Sequence, residues 1–378
     1  MPYQVSEATR HKLQATSNKI SRPLVFSFAL LAFGSLLLTG CAPAPPRQSF
    51  DHAPVYPAPP DKPRFIYERT LQTNEDVEKI TGFERFKIMV TGRSPQVRGL
   101  VKPYGVAVHQ GRVYVTDTAQ DAVLLFDIPG GHFVQFGQDD PGRLQKPIGI
   151  TISKQGEVFV ADVTARRVLV YDLDGHYLRT LGSDELLRRP VGVAVSPDGS
   201  RLYVVDVGGI SNNDHRVQVF DPKSGAHLQT IGTRGEGEGQ FNLPLQAATG
   251  PDGTLYVVDG GNFRVEAFDP NGHFLFTFGG VGRFPGQFAR PKGIATDKDG
   301  NIYVVDTAFG NVQIFDKQGR VLMFIGNRDR AGKPGKFFLP AGVAVGEDGR
   351  VYMVDQYFRK VEIFKPLPGE AAKTAASD

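Results

Sequence analysis

The chain has 378 residues, a formal net charge of +3, 44 glycines, 27 prolines, no tryptophan and a single cysteine. One cysteine excludes an internal disulfide, and so much glycine and proline argues for short strands and tight turns rather than a helical protein. The charge sits at one end: residues 1–40 hold four Lys or Arg against one Glu, so the rest of the chain sums to zero, which disfavours DNA or RNA as a ligand.

In chain order, Arg10, Lys12, Lys19 and Arg22 precede an apolar run from Leu24 to Thr39. The run is shorter than the roughly 20 residues of a spanning helix, so residues 1–40 are expected to be a signal peptide. Leu38-Thr39-Gly40-Cys41 then resembles the lipobox of bacterial lipoproteins. The resemblance implies cleavage before Cys41 and acylation of its thiol, and Ala42 beside it is similar to the outer-membrane sorting pattern. Residues 41–63 are expected to be a spacer, because eight prolines lie between Ala42 and Pro63 and favour extended backbone. At the other end, residues 367–378 have almost nothing apolar to bury and are expected to be disordered.

Between these ends, residues 64–366 are expected to form one domain, which carries a repeat between Leu100 and Pro366. Pro-x-Gly-Val-Ala-Val, a turn, a strand closed by Asp, a loop, Val-x-x-Phe-Asp, a Gly turn and a last strand return six times. The opening prolines are Pro103, Pro147, Pro190, Pro244, Pro291 and Pro340. The strand-closing aspartates, Asp117, Asp162, Asp206, Asp259, Asp306 and Asp355, stand 44 to 53 residues apart. Such spacing marks a repeat protein. Turn pairs such as Asp198-Gly199, Asp252-Gly253 and Asp299-Gly300 separate apolar runs rich in Val, Ile, Tyr and Phe, which gives four antiparallel strands per copy. A lone sheet of this kind cannot bury both faces, so the copies are expected to pack around an axis as an all-β, six-bladed propeller.

Ring closure is also written in the sequence. The sixth copy stops at Lys365-Pro366 without a fourth strand, while Tyr67-Glu68-Arg69-Thr70-Leu71 is close to Tyr177-Leu178-Arg179-Thr180-Leu181 of the second copy. The N-terminal segment is therefore expected to complete the last blade, leaving 73–100 as an excursion. Pro291-Lys-Gly-Ile-Ala-Thr296, Gly286-Gln-Phe288 and Asp299-Gly-Asn-Ile-Tyr-Val-Val-Asp306 resemble the NHL repeat, over about 265 residues. The resemblance implies a propeller but no one activity, since that family includes protein-binding and RNA-binding modules and a peptide-amidating lyase. The fourth copy departs from it at Gln246, where the others have Gly, so its first strand is expected to sit differently.

Chemistry is harder to find. The six aspartates recur in every copy, which suits capping of loop N–H groups or pairing with Arg167, Arg216 or Arg264 better than catalysis. His132, His176, His227 and His273 fall in outer turns of four different copies and cannot converge on one metal, and neither His109, in a first turn, nor His215, in a loop, has an evident partner. No metal, cofactor or nucleophile is expected. The loops that share a face with the opening prolines are more informative. They carry Lys102, Lys146, Arg189 and Arg290, which either hold an acidic partner or pair with the blade aspartates. They also carry an aromatic arc of Tyr104, Phe263, Phe309, Tyr357 and Phe358, and a long loop from Gly208 to His215 that could fold over the mouth. The expectation is a lipid-anchored, non-enzymatic scaffold in the cell envelope that binds a protein, peptide or glycan; the alternative is a metal-dependent lyase or lactone hydrolase with its site at the channel mouth.

Overall fold

The computed structural model describes residues 53–94, 96–208 and 214–368; Cys41, the leader, the tail beyond 368 and part of the loop after Gly208 lie outside the described residues. Six antiparallel sheets follow one another along the chain. Blade 1 runs Pro103–His109, Arg112–Asp117, Ala122–Asp127 and His132–Phe136, and blades 2 to 5 repeat this order from Pro147, Pro190, Pro244 and Pro291. The first strands of consecutive blades lie side by side around the axis, and that of blade 6 returns to that of blade 1. The chain is a six-bladed β-propeller.

The Pro-x-Gly opening follows from this close approach at the axis. A Cβ added to Gly105 would stand 2.5 Å from the Ile148 carbonyl of the next blade, and one added to Gly342 would stand 2.6 Å from that of Tyr104. Blade 4 carries Gln246 there without the displacement expected from its sequence. Its register, Gln246 opposite Val258, matches Gly192 opposite Val205 in blade 3. The side chain is accommodated because its Oε1 occupies the space left by Gly192 and accepts the Val193 N–H at 3.1 Å.

Six apolar clusters fill the six seams between blades. Tyr114 and Leu125 of blade 1 pack with Val160 and Tyr171 of blade 2, for example, and Tyr203 and Val219 of blade 3 with Val257 and Phe268 of blade 4. The Gly-x-Phe residues Phe241, Phe288 and Phe337 are fully buried in such seams.

Closure occurs as the sequence implied. Phe65–Leu71 pairs antiparallel with Lys360–Pro366, bringing Leu71 opposite Val361. Part of the stretch read as spacer also belongs to the domain: Val55–Tyr56 adds a fifth strand outside Phe65–Leu71, and the Tyr56 hydroxyl donates to the Gly335 carbonyl. The excursion that follows holds a short 3₁₀ turn, Asn74–Asp76, and one helix, α1, Gly82–Thr91.

Candidate functional site

The six aspartates are fully buried, and their oxygens are occupied by backbone donors. Asp306 is representative: one oxygen accepts Ala289 and Arg290 N–H at 2.7 and 3.0 Å, the other Ala308 and Phe309 N–H at 2.8 and 3.1 Å. Asp117, Asp162 and Asp355 repeat the four-donor pattern. Asp206 accepts Arg188, Arg189 and Gly208 N–H and lies 3.5 Å from Arg216. Each carboxylate thus ties the loop entering its blade to the loop leaving the second strand. Of the three bases named as partners, Arg216 and Arg264 reach an aspartate of the repeat, whereas Arg167 pairs with Asp184.

Asp259 departs from this pattern. Leu243 N–H donates to His215 Nδ1 at 3.1 Å, so Asp259 keeps Asn242 N–H and turns to Asn262 and Arg264 for the rest. Burial pushes its carboxyl up to about 6. His215 is consequently part of the scaffold. It is buried rather than exposed on the binding face, and burial pushes its imidazole pKa down.

The same bonding frees the bases beside the opening prolines. Lys102, Lys146, Arg189 and Arg290 give the aspartates their backbone N–H groups, not their side chains. All four are exposed, and no ion pair of their side chains occurs among the described residues. Between them lies a fifth cation that sequence reasoning missed. Lys292, half-buried in the first strand of blade 5, places its Nζ 5.1 Å from the centre of the Tyr104 ring in blade 1. Blade 6 intervenes, with only Ala341 at the equivalent position, so the side chain crosses the channel opening. Burial first, then the Arg290 charge, pushes the Lys292 ammonium down to about 8. Tyr104 is also half-buried, and burial raises its phenol pKa. The sequence held a signal for this: the residue after the opening proline is Tyr104, Ile148, Val191, Leu245, Lys292 or Ala341, and Lys292 alone is charged.

The aromatic arc contracts into one cluster at blade 6. Phe263 is half-buried against the seam between blades 4 and 5, and Phe309 is half-buried above Asp306. Tyr357 is 52% exposed and stacks edge-on with Phe358 at 5.0 Å and with Phe338 at 4.7 Å. Arg328 and Arg330 lie over the Phe338 ring at 4.5 and 5.0 Å, and Lys360 lies 5.0 Å from Phe358. Phe338, which the sequence did not single out, is the centre of this group.

Below the mouth the channel encloses about 240 Å³ and is lined by Val, Ala, Ile and Thr with Gln246 as its one amide. Among the described residues no group of three His, Cys, Asp or Glu side chains is placed to hold a metal ion. His176 and His273 pair instead with Asp172 and Asp269 of their own turns, at 2.8 and 3.0 Å. Two further buried carboxylates, Glu266 and Glu362, occupy the middle of third strands, where blades 3 and 5 carry Gln218 and Gln313. They work on the connectors between blades: Gly335 N–H donates to Glu362, Gly286 N–H to Gln313, and Gln218 donates to the Leu186 carbonyl.

Comparison with known proteins agrees with this architecture. A family model described as a 6-bladed beta-propeller matches residues 98–189, and the NHL repeat model matches residues 187–220 and 288–315. The fold is a propeller of the NHL type. Among solved structures, a protein of unknown function from Bacteroides thetaiotaomicron is 18% identical with a TM-score of 0.58, over 80% of this chain and 76% of that one. A gluconolactonase from Xanthomonas campestris is 18% identical with a TM-score of 0.54, over 71% and 87%. A streptogramin B lyase is 15% identical with a TM-score of 0.53, over 71% and 94%. At these identities the likeness establishes the fold alone.

Proposed function

We propose that this propeller is an exported, lipid-anchored binding scaffold of the bacterial envelope whose loop face receives an acidic group of a protein, peptide or glycan partner. The observation that carries the reading is the set of cations at the mouth that the fold leaves unused: Lys292 over Tyr104, ringed by Lys102, Lys146, Arg189 and Arg290. A half-desolvated ammonium without a carboxylate gains most from an incoming anion. The tyrosine ring beside it supports the cation, and the blade 6 aromatics offer apolar contact next to the charge. The anchor rests on the leader and the Leu38-Thr39-Gly40-Cys41 motif.

The test is affinity capture of a partner from solubilised envelopes, repeated with defined variants. Changing Lys102, Lys146, Arg189 and Arg290 together to Gln should abolish capture; undiminished capture would remove the basic rim from consideration. Binding should also weaken as pH rises from about 7 to about 9, because Lys292 loses its proton near pH 8 and an anion binds the ammonium form. Lys292→Arg, which stays charged, should still bind at about pH 9. Uptake of labelled fatty acid by wild type and its loss in Cys41→Ala checks the anchor separately.

A further inference from the structure

Helix α1 turns its apolar side to water. Phe83, Phe86, Met89 and Val90 are 75, 57, 76 and 64% exposed, and only Ile88 among the helix's large apolar residues is half-buried. At 3.6 residues per turn the four exposed residues fall within one arc of about 120°, with Arg85 at one border and Lys87 at the other. Ile80 and Val97, 47 and 57% exposed, extend the apolar surface beyond the helix. Isolated exposed apolar residues are ordinary, but a contiguous arc of four large ones marks a contact surface.

We propose that α1 is a membrane-surface helix that lies in the headgroup layer of an anionic bilayer, apolar arc inward. Charge identifies the occupant. Residues 79–93 carry Lys79, Arg85, Lys87 and Arg93 against Glu84 alone, a local excess of positive charge within residues 41–378 that sum to zero, with Glu75, Asp76 and Glu78 preceding it in the chain. An apolar arc bordered by basic side chains is the pattern of an interfacial helix, whose Lys and Arg stems run along the apolar surface while their heads reach lipid phosphates. The ten residues of α1 make a rod about 15 Å long, and no described helix is long and apolar enough to cross a membrane, so it lies on the surface. The reading does not need the acyl chain, because the arc and its charges belong to the folded domain.

The absence of tryptophan makes a direct test available. Phe86→Trp in the full chain provides a single fluorophore on the arc, and Phe284→Trp provides one on a connector residue that is 78% exposed. On vesicles of phosphatidylethanolamine and phosphatidylglycerol, Trp emission from the Phe86→Trp chain should shift to the blue and be quenched by brominated acyl chains. Emission from the Phe284→Trp chain should do neither. Phe83→Ser with Met89→Ser should weaken vesicle binding about tenfold or more with an unchanged melting curve, and Arg85→Gln with Lys87→Gln should remove its dependence on phosphatidylglycerol. Solvent-like, unquenched emission from Phe86→Trp on these vesicles would overturn the proposal. So would a blue shift that needs an added envelope protein rather than lipid.

Discussion

A chain beginning at residue 73 is expected to lose the cooperative unfolding of the ring, and a peptide spanning residues 53–72, added in trans, is expected to restore it. The strand Phe65–Leu71 supplies the fourth strand of blade 6, and its partners lie nearly the whole propeller away along the chain. Leu71 is fully buried in the seam between blades 6 and 1, among Val113, Val115, Val354 and Val361. Glu68 adds a two-pronged ion pair with Arg350, at 2.6 and 3.0 Å, that joins the fourth strand of blade 6 to its second. A buried leucine alone is worth about 2–5 kcal/mol, and each strand hydrogen bond adds about 0.5–1.5 kcal/mol. The total is comparable with the stability of an entire domain. Chemical denaturation should therefore give a shallower, earlier transition for the truncated chain, with proteolysis beginning at the edge of blade 6. Within the full-length chain, Leu71→Ala should cost about 3 kcal/mol. If the truncated chain unfolded at the wild-type denaturant concentration, closure would not be what holds the ring.

The closure was legible because strand sequences repeat. Tyr67–Leu71 could be matched to Tyr177–Leu181, and the missing fourth strand of the sixth copy showed where it belonged. Blade number and strand order were legible for the same reason: five of the six aspartates bridge two loops with backbone donors, and a role set by backbone geometry recurs wherever the backbone does. The site was less legible because it arises where copies differ. Lys292 and Tyr104 stand at the same repeat position in blades 5 and 1, and only the ring brings them within 5.1 Å. His215 misled for the opposite reason. It reads as an unpaired loop residue, yet the left-handed backbone at Leu243, φ 59°, lets the Leu243 N–H turn away from Asp259 to meet it. The aromatic arc is narrower than its sequence positions suggest, because Phe263, in a loop by sequence, also has a positive φ of 56° and packs against a seam. Helix α1 was invisible as such, because ten residues within an excursion carry too little periodicity to separate an outward apolar face from a buried one.

Glu266→Gln is expected to stabilise the protein at about pH 8 by as much as about 3 kcal/mol, and to leave it unchanged at about pH 4. Glu266 is fully buried in the third strand of blade 4. Arg264 Nη2 stands 2.7 Å from its Oε1 without an aligned N–H, and the connector's Gly239 N–H faces the carboxylate without closing a hydrogen bond of good geometry. The guanidinium is committed elsewhere, to Asp259 and to the carbonyls of Glu236, Gly237 and Gln240. Burial therefore prevails over the Arg264 charge and pushes the Glu266 carboxyl up from 4.5 to about 7. The sign follows from proton counting. Below about pH 4.5 both states hold the proton and Glu266 has no effect. From there to about pH 7 the unfolded chain releases the proton while the folded one keeps it, so stability falls as pH rises; above pH 7 the deficit is constant. A neutral amide of the same shape removes this slope, and Gln218 and Gln313 already fill the position in blades 3 and 5. Asp259, pushed up to about 6, leaves a smaller slope between about pH 4 and pH 6 in the variant. Melting curves of both proteins across this range should diverge upward from about pH 5 in favour of Glu266→Gln. Parallel curves would mean that Arg264 neutralises Glu266 fully, and that the connector of blade 4 is held by an ion pair rather than by a protonated acid.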